Sequence, residues 1–322
     1  GGGYVGFWFY ASERVRDGID DWVAGQRAHG VDVRYRSVDI GGFPLKLAAE
    51  ARDFVVTRGD GAAWRGDDLE ASALPWRLTR IDFALAGDHE LTVPGIPAFT
   101  VTTRGGDGDL QLAPDGRLTA AQVSLSDVAV ALPRGAGVVT LAGLDLAAEE
   151  RPADESGLPD LAARGVARAI DLPASPLPAL GLAIDHAGID VTVTGPVPPV
   201  LNEPALAAWR DSGGELRIER LSLRWGPLVI EANGTIALDE ALQPSGKLVA
   251  QVQGFLETVD ALVEAGMIEA KDAGYAKAGL ALLAGPPGPD GTATLTAPLR
   301  LRDRRLTLGP LPLAELPAIV WP

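Results

Sequence analysis

The chain has no cysteine, which removes disulfide frameworks, cysteine zinc sites, iron–sulfur clusters and thiol nucleophiles together. Its three histidines, His29, His89 and His186, are widely separated, and none stands in an HxH or HxxxH pair that could hold a metal from one element. Neither a metal centre nor a cofactor is expected. Basic runs are missing too, and the formal net charge is −15. Such a surface, taken as a whole, repels nucleic-acid phosphates and anionic lipid headgroups alike, so nucleic acid is not an expected partner and electrostatic docking onto either is not expected. Nowhere is there the stretch of about 20 apolar residues that a spanning helix requires. Aromatic residues make up only 6% of the chain.

What the chain does have in quantity is glycine and proline, 39 and 25 of 322 residues. That frequency of turn-forming residues, beside 47% hydrophobic and 22% charged residues, fits a folded protein of many short elements better than a helix bundle. The length allows about two domains or one large β-rich body, at roughly 150 residues per domain.

From Val31 onward the apolar residues recur every second position. Val31, Val33 and Tyr35 alternate with Asp32, Arg34 and Arg36, and Val38 and Ile40 lead through Gly41-Gly42-Phe43-Pro44 to Leu45 and Leu47. Similar alternation predicts strands at Leu69 to Leu78, Ile81 to Leu85, Phe99 to Thr103, Leu110 to Leu112, Leu118 to Leu125, Val128 to Leu132 and Val139 to Leu146. Pro114-Asp115-Gly116 has hairpin-turn chemistry. No helical segment between these strands is long enough for a parallel crossover, so the pairing should be antiparallel. Residues 150 to 180 are less regular, and a short helix is expected at Leu161 to Ile170. Strands resume at Ile184 to Val193, Glu215 to Trp225, Leu228 to Ala237, Lys247 to Gln253, Thr292 to Leu301 and Leu306 to Leu308. Helices are expected at 203–209 and, in two or three pieces broken by Gly266 and Gly274, at 255–284.

The expected fold is therefore mainly β (α+β), built of strongly curved antiparallel sheets with an N-terminal helix and a helical segment near the C-terminal third. Three regions are expected: 1–29, a β-rich half at 30–150, and a second β-rich half at 151–322. A Gly-Pro pattern recurs at Val38 to Leu47, Trp225-Gly226-Pro227-Leu228 and Leu308-Gly309-Pro310-Leu311, where glycine permits a tight bend and proline removes a ladder donor. Each copy should turn a strand at a sheet edge or corner.

The beginning of the sequence is unlike the rest. Tyr4, Phe7, Trp8, Phe9 and Tyr10 crowd into seven positions, followed by a helical pattern with Val15, Ile19, Trp22 and Val23 on one face and Ser12 placed as N-cap. Aromatic rings gather at the headgroup level of bilayers, and the chain starts with Gly1 while its only methionine is Met267. The expectation is the outer end of a membrane anchor that runs into a docking helix.

Four stretches carry a resemblance. GYVGFWFYASERVRDGIDDW, SVDIGGFPLKL, GGELRIERLSLRWGPLVIEANGTIALDEALQPSGKL and the terminal LTLGPLPLAELP resemble the family catalogued as domain of unknown function 2125, over nearly the whole chain. That resemblance implies a Gram-negative envelope protein, anchored in the inner membrane, with a periplasmic body of curved β-sheet and no catalytic residues to carry over. More loosely, the rhythm of anchor, long strands and repeated turns is similar to AsmA-like lipid-handling proteins and to tubular lipid-binding domains, a likeness of fold alone.

Motifs for catalysis are incomplete. None of the serines lies in a G-x-S-x-G elbow, His186 beside Asp185 lacks a nucleophile in its sequence context, and the Asp107-Gly108-Asp109 stretch lacks the ligand spacing of a calcium loop. Arg58-Gly59-Asp60 spells an adhesion tripeptide, and Arg65-Gly66-Asp67 repeats it nearby. An enzyme is not expected. The expected function is binding or transfer of a lipid-like ligand in a concave apolar groove, lined by Phe43, Leu45, Leu47, Phe83, Leu85, Leu221, Leu223 and Trp225. The alternatives are that these residues pack as ordinary core, or that the protein scaffolds an envelope complex through partner proteins without a small ligand.

Overall fold

A computed structural model describes residues 23–25, 27, 30–43, 45–93, 96–151, 160–175, 177–195, 198, 202–285, 292–308 and 311–321. The aromatic cluster Tyr4, Phe7, Trp8, Phe9 and Tyr10, and most of the helix expected after it, lie outside the described residues; residues 23–25 and 27 are helical. The protein is mainly β, with 61% of it in strands. Sixteen strands follow one another in hydrogen-bonding order as they do in sequence, except that β2 pairs only with β3, and β1 does not pair with β16 among the described residues. The chain divides into two compact units, residues 1–138 with 145–149 and residues 139–144 with 150–321.

In the first unit the strands are β1 (Val31–Arg34), β2 (Ser37–Gly41), β3 (Leu47–Arg58), β4 (Ala63–Leu74), β5 (Arg77–Val93), β6 (Ile96–Leu112) and β7 (Leu118–Ala131). Their ladders are antiparallel. Several are longer than the alternation suggested. Ile81 to Leu85 is the middle of a 17-residue strand, and Phe99 to Thr103 and Leu110 to Leu112 are parts of another. Conversely, the stretch Leu69 to Leu78 is two strands, because Pro75 and Trp76 form the turn between β4 and β5. Pro114-Asp115-Gly116 turns β6 into β7 as its chemistry requires, with Ala113 N–H donating to Arg117 O at 2.8 Å.

The reason the long strands read as fragments is a line of kinks. Asp53 on β3, Gly87 on β5 and Asp127 on β7 have positive φ of 49°, 92° and 49°, and the β4–β5 and β5–β6 registers slip at the same level. A residue inserted in a strand reverses the side to which later residues point. Apolar residues at 47, 49 and 51 are thus followed on the same side by Phe54 and Val56, and those at 121, 123 and 125 by Val128 and Val130. One apolar face continues through the kinks although the period-two pattern in sequence breaks at Asp53 and Asp127; on β5, Phe83, Leu85 and His89 keep that pattern across Gly87.

The second unit carries β9 (Asp160–Asp171), β10 (Ala183–Val193), β11 (Leu216–Trp225), β12 (Leu228–Leu238), β13 (Pro244–Gln253), β14 (Leu295–Arg302), β15 (Arg305–Leu308) and β16 (Leu311–Glu315); β8 (Val138–Arg151) has residues in both units. The helix expected at Leu161 to Ile170 is instead strand β9, paired with β10 from Val193↔Leu161 to Ala183↔Asp171. Its alanines favour helix locally, but the ladder to β10 supplies the backbone partners that decide the outcome. Trp225-Gly226-Pro227-Leu228 is a two-residue hairpin turn, with Gly226 at φ 55°. Gly42, at φ 93°, turns β2 into β3, while Gly309-Pro310 lies outside the described residues.

Three α-helices belong to the second unit: α1 (Glu203–Asp211), α2 (Phe255–Glu264) and α3 (Ala270–Leu283). Asn202 caps α1 by accepting Ala205 N–H at 3.0 Å, and Trp209 on that helix donates Nε1–H to Thr194 O at 2.9 Å. Gly266, at φ 70°, separates α2 from α3; Gly274 sits inside α3 without breaking it. The core of this unit consists of Ile218, Ala232, Leu248, Ala250, Val252, Phe255 and Leu295. Phe255 and Leu256 of α2, with Leu280 of α3, close over the strand side chains.

Candidate apolar binding face

Neighbouring strands of the first unit set apolar residues side by side in rows. One row runs Ala51, Leu69, Leu85, Gly106, Leu125 and the next Ala49, Ala71, Phe83, Gly108, Val123. All ten are half-buried. The glycines have a packing role: a Cβ at Gly106 would run into Leu125 and Leu85, and one at Gly108 would lie 2.5 Å from Phe83 Cζ. Leu85, Leu125 and Phe83 therefore lean across bare backbone and form a floor wider than their own strands. The opposite side of the same strands carries Glu50, Glu70, Asp82, Asp107 and Arg52, with ion pairs such as Lys46–Glu70 at 3.0 Å.

Beyond the kinks this face is closed. Phe54, Gly66, His89, Val101 and Val130 stand in one row; Phe54 is 4% and His89 4% exposed. Phe54 meets Trp64 edge-on at 4.7 Å between ring centroids. Both ring nitrogens of His89 are buried without a hydrogen-bond partner, and burial lowers its pKa, opposed by the charges of Asp67 and Asp88. On the other side of these strands, a depression of about 430 Å³ is bordered by Asp53, Arg65, Asp67, Asp88, Glu90 and Thr100. Among the described residues no group of His, Asp and Glu is arranged to hold a metal ion.

The eight residues that the sequence nominated fall into three environments. Phe83 and Leu85 lie on the half-buried rows of the first unit, and Leu47, 3% exposed, is buried at their edge. Phe43 and Leu45 are not on the face; they project from the β2–β3 turn, 50% and 68% exposed. Leu221, Leu223 and Trp225 point to one side of β11, where Leu221 packs on the helix-covered core of the second unit. Trp225 is 6% exposed, and its Nε1–H donates to Gly181 O at 3.3 Å. The sequence did not nominate Leu69, Val123 and Leu125, although each sits in an alternating stretch; what was missing was the register that aligns them with Phe83 and Leu85.

Two motifs weighed for other chemistry also find their places. Arg58 and Asp60 pair with each other across the β3–β4 turn, and Asp60 accepts Ala62 N–H at 3.0 Å; the Arg58 hydrogen bond lowers the Asp60 pKa. That tripeptide is an internally satisfied hairpin tip. His186 Nε2 lies 3.0 Å from Ser222 Oγ on the adjacent strand, a contact that the sequence concealed. A nucleophilic serine also needs an oriented base and oxyanion donors, and no carboxylate hydrogen-bonds to His186 among the described residues.

The fold and this face define an antiparallel β protein with a half-buried apolar floor in its first unit. The chain belongs to a bacterial family described as "Uncharacterized protein conserved in bacteria (DUF2125)", whose model it matches over residues 8–317. No curated protein and no solved structure matches it. No helix among the described residues is long and apolar enough to cross a membrane.

Proposed function

We propose that this protein holds a lipid-like ligand against the apolar floor of its first unit, in the periplasm, tethered to the inner membrane through an anchor of which the aromatic N-terminal segment is the outer end. The observation that carries this reading is the pair of rows through Leu69, Leu85, Leu125 and Phe83, contiguous across four strands, apolar and half-buried. In the second unit, by contrast, the comparable strand face is closed by α2 and α3. Contiguous apolar surface left open to water is costly and marks a binding surface. The kinks at Asp53, Gly87 and Asp127 supply the local bends that a strongly curved, groove-forming sheet needs.

The energetics suffice without polar recognition. Covering twelve methylenes contributes about 10 kcal/mol, at about 0.8 kcal/mol each, before ordering costs are subtracted. Such a ligand would be selected by chain length and shape more than by headgroup. The test is to extract the purified chain with organic solvent and identify lipids by mass spectrometry. Wild type should release stoichiometric lipid and Leu85→Asp should release little; a folded wild type free of lipid, which also fails to take up a fluorescent fatty acid, refutes the reading.

A further inference from the structure

The hairpins β2–β3, β4–β5 and β6–β7 all turn at the same end of the first unit, because Leu47↔Ala73, Leu74↔Arg77 and Leu112↔Leu118 close their ladders there. Alternate strands are about 10 Å apart, so the three tips make a short rim. Their large apolar side chains are turned to solvent: Phe43 50%, Leu45 68%, Leu74 40%, Trp76 65%, Leu78 51% and Leu118 49% exposed. In a chain of net charge −15, the charged residues of segments 42–46, 74–78 and 113–118 are Lys46, Arg77 and Arg117 against Asp115, with Lys46 paired to Glu70 of β4. Counting Glu70, the rim still carries one net positive charge in an acidic chain.

We propose that this rim docks on an anionic bilayer surface, with Trp76, Leu78 and Leu45 inserted at the headgroup level and Arg77 against lipid phosphate. A tryptophan tip flanked by leucines and a cation is the composition that partitions into a membrane interface. A protein partner would not require basic residues at the tips of an acidic chain, whereas anionic lipid does. The apolar floor begins at the same end, from Leu47 and Ala73 inward, so docking brings the floor to the source of its ligand. The inference deepens the lipid reading and rests on it for that purpose, while the contact itself is measured separately.

The experiment is co-sedimentation of the 322-residue chain with vesicles of phosphatidylcholine alone or mixed equally with phosphatidylglycerol. Wild type should bind the mixed vesicles more tightly. Trp76→Ser combined with Leu78→Ser should weaken binding by about tenfold or more, since two exposed apolar side chains no longer insert. Arg77→Gln should erode the preference for phosphatidylglycerol, and Tyr275→Ser, at a site 83% exposed on α3, should change nothing. These substitutions lie at exposed positions, and an unchanged melting temperature checks that the fold is kept. Equal binding by the double variant overturns the proposal, as does absence of wild-type binding. Conversion of a dimer to a monomer by the same variant overturns it in favour of self-association. Leu85→Asp should retain vesicle binding while losing extracted lipid, so failure of the docking and failure of the lipid reading are told apart.

Discussion

Gly66 on β4 lies directly beneath His89 on β5: a Cβ at Gly66 would come 2.5 Å from His89 Nδ1 and 2.6 Å from Phe54 Cζ. The ring of each flanking strand rests on the glycine backbone between them. Gly66→Ala should therefore destabilise the first unit by about 1–3 kcal/mol, the cost of overpacking a closed site. Chemical denaturation would measure it. Adding Phe54→Leu to Gly66→Ala should recover part of the loss, because the crowding ring is removed.

His89 gives the first unit a pH dependence with a definite sign. Its pKa in the fold is below the ordinary value of 6.5, chiefly through burial, with the charges of Asp67 and Asp88 opposing the shift. The unfolded chain then binds a proton more readily than the folded one, so stability rises with pH in that window. The contribution is fully present above about pH 6.5 and is lost as pH falls through the lower folded pKa. Melting temperature measured from about pH 7.5 to 5 should drop in wild type, and the drop should be smaller in His89→Leu. Identical pH profiles for the two proteins would show that the imidazole is not the responsible group.

The strand-dominated, antiparallel character of this fold is legible in sequence because each strand has one apolar and one polar side. Helices at 203–209 and 255–284 are legible from the 3.6 period, with Gly266 marking the break between α2 and α3. Boundaries fail where a second influence competes. Leu161 to Ile170 reads as helix since its alanines outweigh a weak alternation, and only the β10 ladder decides otherwise. The kinks at Asp53 and Asp127 shift the period by one residue, so single strands look like two. The site is harder still, because burial of Trp225 depends on Gly181, 44 residues earlier, and the floor depends on four aligned registers. Neither separation leaves a local pattern.

The start of α2 depends on a backbone approach that admits no side chain. Gly254 precedes Phe255 at φ 69°, and a Cβ there would collide with Pro227 O in the β11–β12 turn. Gly254→Ala adds a clash to an unfavourable left-handed conformation. It should cost about 2–4 kcal/mol and loosen Phe255 from the core. A loss of near-ultraviolet circular dichroism on heating at a lower temperature than in wild type is the expected signature.

Leu85→Asp and Trp225→Asp place the same carboxylate in two different surroundings, and the contrast separates floor from core. Leu85 is half-buried on the apolar rows of the first unit, where an aspartate can reach water at modest cost. Trp225 is 6% exposed and donates to Gly181 O; an aspartate there loses the indole packing, worth about 3–5 kcal/mol, and leaves a charge without a partner, which costs several more. Trp225→Asp should therefore fail to fold or melt far below wild type. Leu85→Asp should melt within a few degrees of wild type while its extracted lipid and fatty-acid uptake collapse, since a charge stands where methylenes lie. If Leu85→Asp instead unfolds the chain and Leu125→Ser does the same, those rows are core, and the lipid reading loses the surface it was built on.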